Sequence, residues 1–320
     1  MTHYLNSITG EIKSQAEIEL EDGKRDWRKR KKMSIKVAQL MANYDPERAA
    51  TIRYCGTRLE FAVTPDGERK LHQANFCRQR LCPMCQWRRS IKLRWQADQI
   101  YKAETDQGYK HLFLTLTVRN VKGDELPKET DELIEAAQRW KRTELYKKAF
   151  IGSYRALEIT YNEEEDTYHP HLHYLMTVGG NYFEKSNPNY VTKDKLIKSW
   201  REAARLDYDP SVSIEAIRQK PGQSITSACA EVCKYPAKTA EINDWHVLEN
   251  IDKALRKRRL IQWAGVTAET RKALELDDVE KGNLIHTANE ELEGVTIEKI
   301  VYIWRYGFYI PYEYQNRVTD

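Results

Sequence analysis

The chain has 320 residues, of which 41% are hydrophobic and 31% are charged, and its formal net charge is +4. This length and composition predict a folded, soluble protein with one large domain or two smaller ones. No apolar run approaches the ~18 residues of a membrane span, and the opening stretch MTHYLNSITGEIKSQ lacks the apolar core of a signal peptide. We therefore expect a cytoplasmic protein without a membrane partner.

The basic residues are unevenly distributed, which points to a polyanionic partner. Lys24–Lys36 carries eight basic residues and one acid, Cys77–Arg94 carries six basic residues and no acid, and Lys253–Arg259 is a third basic cluster. Solvated helix faces are the alternative, but three separate clusters with tryptophans among them favour nucleic acid. The predicted DNA contacts are Arg28, Lys29, Arg30, Arg88, Arg89 and Arg94.

Four cysteines follow the basic arm of residues 1–45. Cys77, Cys82 and Cys85 form a C-x4-C-x2-C pattern, and Cys55 lies upstream. A close pair of thiolates in a tight turn is typical of structural zinc sites. The pattern predicts a zinc-binding, DNA-contacting subdomain at residues 46–100. His72 in place of Cys55 as fourth ligand, and free buried cysteines, are the alternatives.

The middle of the chain alternates apolar strands with helical stretches. We predict a basic helix at 86–108, a buried strand at His111–Asn120, a helix at 128–149 and a strand at Ser153–Asn162. An acidic turn follows, and a second strand returns from it to complete a hairpin. A helix at 192–206, a strand at 210–219, a helix at Ser224–Lys238 and aromatic, strand-like residues at Glu298–Tyr314 complete the prediction.

The returning strand, YHPHLHYLMT, carries His169, His171 and His173 at alternate positions. A strand sends alternate side chains to opposite faces, so His171 and His173 share one face and apolar residues share the other. Two imidazoles side by side are suited to binding one metal ion. The alternative is a half-exposed strand whose histidines face water.

The stretch AEVCKYPAK carries a third pattern. Glu231 and Tyr235 are four residues apart and Lys238 follows by three, which places them on one side of a helix. By itself this spacing is also that of an ordinary amphipathic helix. A tyrosine hydroxyl with a pKa of about 10 is a poor nucleophile, but it attacks a phosphodiester when a metal neutralises the phosphate.

In this order, FLTLTV, HPHLH and EVCKY resemble the three motifs of HUH endonucleases. With FCRQRLCPMCQWRR, ALEITYN, LDDVEKGNLIH and YIWRYGFY, the chain more narrowly resembles the single-tyrosine rolling-circle replication initiators of small Gram-positive plasmids. The resemblance covers roughly residues 25 to 310. Pro236 departs from a regular helix beside the tyrosine.

The resemblance implies a set of roles for these residues. His171 and His173 would bind Mn²⁺ or Mg²⁺, with Glu158 as third ligand and His169 as the second choice. Tyr235 would attack single-stranded origin DNA to form a 5′-phosphotyrosine link and a free 3′-hydroxyl, and Glu231 would activate water at termination. Lys238 is assigned to the same catalytic group. The implied partners are plasmid origin DNA and a host helicase and polymerase, with the oligomeric state, including a dimer, left open.

The implied fold is α+β, with a ferredoxin-like antiparallel HUH sheet that has helices on one face, preceded by the cysteine-rich zinc-binding subdomain. The endonuclease domain is expected at 101–270, and residues 271–320 are expected to pack on it as a C-terminal extension. Two other functions remain open. One is a relaxase or transposase of the same superfamily, although common relaxases carry their tyrosine before the histidines. The other is a zinc-ribbon DNA-binding regulator without nuclease activity.

Overall fold

A computed structural model of the chain describes residues 3–20, 26–65, 67–217, 239–287, 298–314 and 316–318. It has a mixed α+β architecture in which all paired strands are antiparallel. Within the described residues, no helix is long and apolar enough to cross a membrane. The chain divides into two compact units, one of Met1–Lys92, Thr239–Trp245 and Val279–Asp320, the other of Leu93–Lys238 and His246–Asp278.

The described helices and strands are as follows, numbered along the chain. The helices are α1 Gln15–Ile18, α2 Trp27–Met41, α3 Pro46–Tyr54, α4 Pro83–Asp106, α5 Leu126–Trp140, α6 Glu144–Ala149, α7 Lys193–Ala204, α8 Trp245–Leu255 and α9 Val266–Ala273. The strands are β1 His3–Leu5, β2 Ile12–Ser14, β3 Arg58–Val63, β4 Arg69–Ala74, β5 Lys110–Thr117, β6 Gly152–Asn162, β7 Thr167–Val178, β8 Val212–Ala216, β9 Ile261–Gly265, β10 Glu298–Arg305, β11 Phe308–Pro311 and β12 Asn316–Val318.

The first unit brings the two ends of the chain together. β1 lies between β2 and β12, and β10 pairs with β3 in a sheet of order β11-β10-β3-β4. The C-terminal strands therefore complete sheets begun by N-terminal strands, whereas the sequence predicted that residues 271–320 pack on the nuclease domain. β10 supplies hydrogen-bond partners to an edge of β3 that the β3–β4 hairpin alone would leave open. Because β3 and β10 are far apart in the sequence, no local pattern predicts that they pair.

The second unit is built on a five-stranded sheet of order β8-β5-β7-β6-β9. β6 and β7 are the predicted hairpin, and β5 is the predicted buried strand, so both predictions are confirmed. The loop between β6 and β7 is shaped by Asn162, whose Oδ1 accepts from the backbone N–H groups of Glu164 and Glu165. Side-chain capping of this kind favours a tight turn.

One face of this sheet packs on α5 and α7. The buried residues of α5 recur every three or four positions from Leu126 to Trp140, which gives the helix one apolar side. The Trp140 ring lies 5.6 Å from the Tyr174 ring and 6.3 Å from the Trp200 ring. The Trp200 indole N–H also donates to the carbonyl of Thr117 at 2.9 Å, so the helices are anchored to β5 at the end of the strand.

Helices also lie on the other face of the sheet, so the prediction of helices on one face only is wrong. Thr177 of β7 shares its face with the histidines, and its hydroxyl donates to Glu104 of α4 at 2.6 Å and lies 2.9 Å from the hydroxyl of Thr267 of α9. β7 is 12 residues long, and its C-terminal end around Thr177 is covered by α4 and α9, whereas the histidines lie nearer its N-terminal end.

The predicted helix at 128–149 is two helices, because Thr143 interrupts it. The Thr143 hydroxyl accepts from the Tyr146 N–H at 3.2 Å and begins α6 as its N-cap. The basic arm is also not without regular structure, since α2 runs from Trp27 to Met41. The predicted helix Ser224–Lys238 lies outside the described residues.

We predict that Gly265→Ala destabilises the second unit. Gly265 has a φ of +58°, and an added Cβ would clash with the carbonyl oxygen of Ile151, the residue directly before β6. Strain and overpacking together should lower the free energy of unfolding by about 2–4 kcal/mol. Gly108→Ala is the matched control, because Gly108 has a φ of +87° with open space around it and should lose only about 1 kcal/mol. Equal losses in urea titrations of the two variants would contradict the packing argument.

Candidate metal centre

The β6–β7 hairpin places a carboxylate directly opposite a histidine. In the strand register, Glu158 pairs with His171, and His173 stands two residues further along the same face of β7. All three side chains are largely buried. A one-residue slip would send the histidines to the opposite face, so the register itself creates the cluster.

The ligand atoms of this triad converge on one point. Glu158 Oε2 lies 2.9 Å from His173 Nε2 and 3.5 Å from His171 Nε2, and the two Nε2 atoms are 3.1 Å apart. Neighbouring ligands of an octahedral ion with bonds of 2.0–2.1 Å are separated by about 3 Å. The three atoms are therefore spaced as three adjacent ligands of one divalent ion.

The other ring nitrogens hold both imidazoles in the orientation that a metal requires. His171 Nδ1 lies 3.0 Å from the His169 carbonyl, which can only accept, so Nδ1 carries the proton and Nε2 presents its lone pair. His173 Nδ1 lies 3.1 Å from the hydroxyl of Thr115 on β5. Such outer partners fix the tautomer and the angle of metal-binding histidines. A lone pair aimed at a second ring nitrogen is repulsive unless a cation lies between them, so the donor set fits a metal ion.

The electrostatics of the triad favour an ionised carboxylate. Burial of Glu158 favours its neutral form, but the adjacent imidazoles of His171 and His173 outweigh burial and hold the pKa of Glu158 well below its usual range. An anionic ligand is therefore ready at neutral pH. His169 does not belong to the converging group. Its ring stacks on that of His171 at 5.0 Å, and burial followed by repulsion from His171 lowers its pKa.

The first unit holds a second cluster, formed by the sulfur atoms of Cys55, Cys77, Cys82 and Cys85. Cys85 Sγ lies 3.6 Å from Cys55 Sγ and 3.7 Å from Cys77 Sγ, and all four sulfurs are within 4.8 Å of one another. These separations are too long for disulfides, and all four thiols are free. A tetrahedral Zn²⁺ site with bonds of about 2.3 Å separates its sulfurs by roughly 3.8 Å. The spacing fits four ligands of one such ion.

Hydrogen-bond donors surround these sulfurs. The backbone N–H groups of Cys77 and Arg78 donate to Cys55 Sγ and Cys85 Sγ, both at 3.3 Å, and the Ser34 hydroxyl lies 3.6 Å from Cys82 Sγ. N–H donors stabilise negative charge on sulfur. His72, the alternative fourth ligand, lies elsewhere, with Nε2 3.8 Å from Glu60 Oε1.

A buried lysine stands behind the cluster. Lys31 Nζ donates to the carbonyls of Arg53 and Cys55 at 2.5 and 2.7 Å. Burial lowers the pKa of Lys31 to about 8, although the nearby thiolates oppose the change. The position of this amine ties α2 to the segment that carries Cys55. Some basic residues of α2 are therefore buried in the interior, whereas others lie on the surface.

Two of the predicted DNA contacts are interior residues, so the prediction fails for them. Arg88 and Arg89 are 1% and 2% exposed. Arg88 donates to the carbonyls of Leu284 and Ile285, and Arg89 donates to that of Arg78 at 2.6 Å. These guanidinium groups satisfy carbonyls of irregular segments that would otherwise be buried without donors. A cluster of basic residues in the sequence does not show whether a guanidinium group will donate to buried carbonyls or contact DNA.

The other predicted contacts remain available on the surface of their units. Lys29 and Arg94 are exposed, and Arg28 and Arg30 are half-buried. Arg28 forms an ion pair with Glu19 at 2.6 Å, and the Arg30 guanidinium lies 5.7 Å from the centre of the Trp87 ring. The predicted catalytic residues Glu231, Tyr235 and Lys238 lie outside the described residues.

Sequence reasoning missed the partners that orient the histidines. The strand prediction treats Thr115 only as part of a buried apolar strand. It treats Phe113, whose ring stacks on that of His173 with centres 5.5 Å apart, in the same way. The available signal was the alternation of Thr115 and Thr117 with leucines in FLTLTV. In register, these threonines stand beside His173 and His171.

Comparisons with known proteins identify the family of the chain. A family model described as a replication protein, Rep_1, matches residues 68–312. The chain belongs to this replication protein family. A "Protein rep" of Streptococcus pneumoniae is 37% identical over 286 residues, which cover 88% of this chain and 89% of the relative. A "Protein rep" of Lactiplantibacillus plantarum is 35% identical and covers 90% of this chain and 95% of its own length.

A third relative, from Bacillus amyloliquefaciens, is 36% identical over 301 residues, with 84% of this chain and 88% of the relative covered. No solved structure matches the chain. The predicted resemblance to rolling-circle plasmid replication initiators is therefore confirmed at the level of the family. Membership in this family supports a role in the initiation of plasmid replication.

We predict that Thr115→Val weakens the binding of Mn²⁺ without removing any ligand. The variant keeps the shape of the side chain but loses the hydroxyl beside His173 Nδ1, and loss of such an outer partner typically costs 10–100-fold in metal affinity. Calorimetric titration of the EDTA-treated protein with Mn²⁺ measures the change. Ser213→Ala is the control, because Ser213 stands opposite Thr115 on β8 and contacts no ligand in the described residues. Unchanged affinity in Thr115→Val would show that the hydroxyl does not orient the ring.

Proposed function

We propose that this chain initiates plasmid rolling-circle replication by nicking one strand of the origin through a metal-dependent transesterification. The observation that carries the proposal is the convergence of Glu158 Oε2 with the Nε2 atoms of His171 and His173. A zinc-ribbon regulator without nuclease activity would leave this buried and oriented triad without a purpose. We further propose that the five-stranded sheet is the ferredoxin-like core of an HUH endonuclease.

The reacting bond is a phosphodiester of single-stranded DNA, and the proposed nucleophile is Tyr235. Its phenolic oxygen forms a bond to phosphorus while the bond from phosphorus to the 3′ oxygen breaks. The tyrosine proton leaves, and the departing 3′ oxygen gains a proton. The products are a 5′-phosphotyrosine link and a free 3′-hydroxyl for a polymerase. A bound Mn²⁺ or Mg²⁺ would supply charge neutralisation at the phosphate.

Glu231 is the proposed base for termination. It would take a proton from water as the water oxygen bonds to the phosphorus of the phosphotyrosine and the bond from phosphorus to the Tyr235 oxygen breaks. The tyrosine oxygen regains a proton, and the enzyme is released by hydrolysis. Lys238 is assigned to the same group, as a cation beside the phosphate. The i, i+4 spacing of Glu231 and Tyr235 in the sequence supports this assignment.

The cysteine cluster is proposed to hold structural Zn²⁺, with all four thiolates as ligands. Four sulfur ligands close the coordination sphere, so such a site stabilises the fold and leaves no position for substrate. We propose that the first unit, which holds the cysteines, is the zinc-binding part of the chain, and that the second unit, which holds the triad, is the nuclease domain. Arg28, Lys29, Arg30 and Arg94 are the proposed contacts to origin DNA, and a host helicase and polymerase are the proposed partners.

The first test concerns the nucleophile. Tyr235→Phe should abolish the covalent adduct formed with a labelled single-stranded origin oligonucleotide and Mn²⁺, measured on a denaturing gel. Origin binding should stay within a few fold, since one hydroxyl is lost. Tyr168→Phe is the control, because Tyr168 is 2% exposed and its hydroxyl accepts from Asn250. A normal adduct in Tyr235→Phe would assign the nucleophile to another residue.

The second test separates cleavage from release. Glu231→Ala should leave the first cleavage largely intact and slow the release step by about 10²–10⁴-fold, the typical contribution of a general base. The covalent species should therefore accumulate in a time course with the variant and turn over with the wild type. If both steps slow equally, Glu231 assists the tyrosine, and if neither changes, another group activates water.

The third test separates the two metals. Dialysis against dilute EDTA should stop cleavage, and added Mn²⁺ should restore it, while elemental analysis still finds one zinc per chain, because closed thiolate sites bind more tightly. Cys82→Ser should lose zinc, and Glu158→Gln should retain it. Absence of zinc from the purified wild type would refute the assignment of the cysteines.

A further inference from the structure

A cavity of about 360 Å³ lies in the second unit between α5, the end of α7 and the residues that follow β5. Its floor is apolar and includes Val118, Leu133 and Leu206, while Arg119, Glu129 and Tyr208 stand on its walls. We call it the strand-end cavity. Its volume is at the lower end of the ~300–1,000 Å³ of small-molecule sites, which suits one flat ring system and not an extended ligand.

One wall of the strand-end cavity is a preformed stacking surface. The Arg119 guanidinium lies 3.7 Å from the centre of the Tyr208 ring, and its Nη2 is 3.3 Å from Asp207 Oδ1. The backbone N–H of Arg119 also donates to the Tyr208 hydroxyl at 2.8 Å, and this hydrogen bond fixes the position of the ring. Planar arginine and tyrosine groups are surfaces on which nucleic-acid bases stack, whatever the base.

The lining of the cavity also presents carboxylates, which favour hydrogen-bond donors. The Glu129 carboxyl is half-buried and forms no hydrogen bond or ion pair within the described residues. Burial, followed by repulsion from Glu132 and Glu125, raises its pKa. Arg119 and Arg205 are the lining cations, and Glu129, Glu132 and Asp207 are the lining acids, so the lining is net negative. That charge disfavours a phosphate inside the cavity. Among the described residues, these acids form no metal-binding group.

The strand-end cavity adjoins the metal centre through the end of β5. Thr117, the last residue of that strand, pairs with His171, and Val118 follows it directly. The backbone of Val118 is also hydrogen-bonded to the ring of His169. Since a strand rises only ~3.3 Å per residue and alternates its side chains between faces, the Val118 backbone lies close to that of Thr117, but the Val118 side chain points to the α5 and α7 face, opposite the histidines. A DNA strand held at the metal centre would reach the cavity around the end of β5, so that a base one or two nucleotides from the bound phosphate would enter it.

We propose that the strand-end cavity binds one unpaired base of the DNA strand that is held at the metal centre, and that it prefers guanine. The assignment rests on the proposed nicking function for its biological setting, although binding itself does not require cleavage. Guanine presents N1–H and N2–H donors side by side, which match one carboxylate as a bidentate acceptor. Adenine and cytosine offer a single amino group, and thymine places acceptors on both sides of its one donor.

The first experiment measures binding without cleavage. Fluorescence anisotropy in EDTA compares a labelled oligo(dT) twelve-mer with versions that carry one central guanine, adenine or cytosine. The guanine version should bind wild type at least about fivefold more tightly than oligo(dT), and Glu129→Gln should remove most of that difference, because a charged acceptor is lost. Glu135→Gln is the matched control, since Glu135 lies on the same helix, is exposed and does not line the cavity. Equal binding of all four oligonucleotides by wild type would overturn the proposal.

The second experiment locates the base relative to the nick. Each guanine of the single-stranded origin oligonucleotide is replaced in turn by inosine, which lacks the N2 amino group, and adduct formation with Mn²⁺ is measured. One position should lose activity in wild type and should lose much less in Glu129→Gln, as expected for two groups in contact. If adducts form but no position couples to Glu129, the cavity does not bind the substrate strand. If wild type forms no adduct at all, the nicking function fails, while the result of the anisotropy experiment still decides whether the cavity binds guanine.

Discussion

The register of the β6–β7 hairpin is the constraint on which the metal centre depends. Glu158 stands opposite His171 because the loop of residues 163–166 closes the hairpin with Asn162 opposite Thr167. Each strand has a side-chain period of two, so a shift by one residue would separate the carboxylate from both imidazoles. The acidic loop supplies none of the triad's side chains, yet its turn geometry determines which side chains meet on the sheet.

The rest of the second unit maintains that geometry from both faces. α5 and α7 bury the apolar face of β7, and Trp200 ties them to the end of β5. α4 and α9 cover the histidine face at its far end, around Thr177. The triad lies nearer the other end of this face, and its three side chains are themselves largely buried. The strand-end cavity lies beyond the end of β5, beside α5 and the end of α7.

The interior of the first unit contains several buried polar contacts. Its cysteines lie in a cluster with N–H donors around the sulfurs, and Lys31, Arg88 and Arg89 donate to buried carbonyls of irregular segments. Buried cations are costly unless such partners compensate for lost water. The basic stretch near the cysteines is therefore only partly exposed to solvent, because several of its charged side chains are buried and donate to carbonyls of distant segments.

The sequence by itself determined the features that are local or periodic. Alternation along YHPHLHYLMT predicted the strand and its histidine face, the hairpin predicted Glu158 as the third ligand, and cysteine spacing predicted three of four clustered sulfurs. Tertiary structure decided what depends on distant pairing: Cys55 over His72, the pairing of β10 with β3, the burial of Arg88 and Arg89, and Thr115 beside His173. The physical reason is that period and turn chemistry act over a few residues, whereas burial and cross-sheet contacts depend on segments that meet only when the chain has folded.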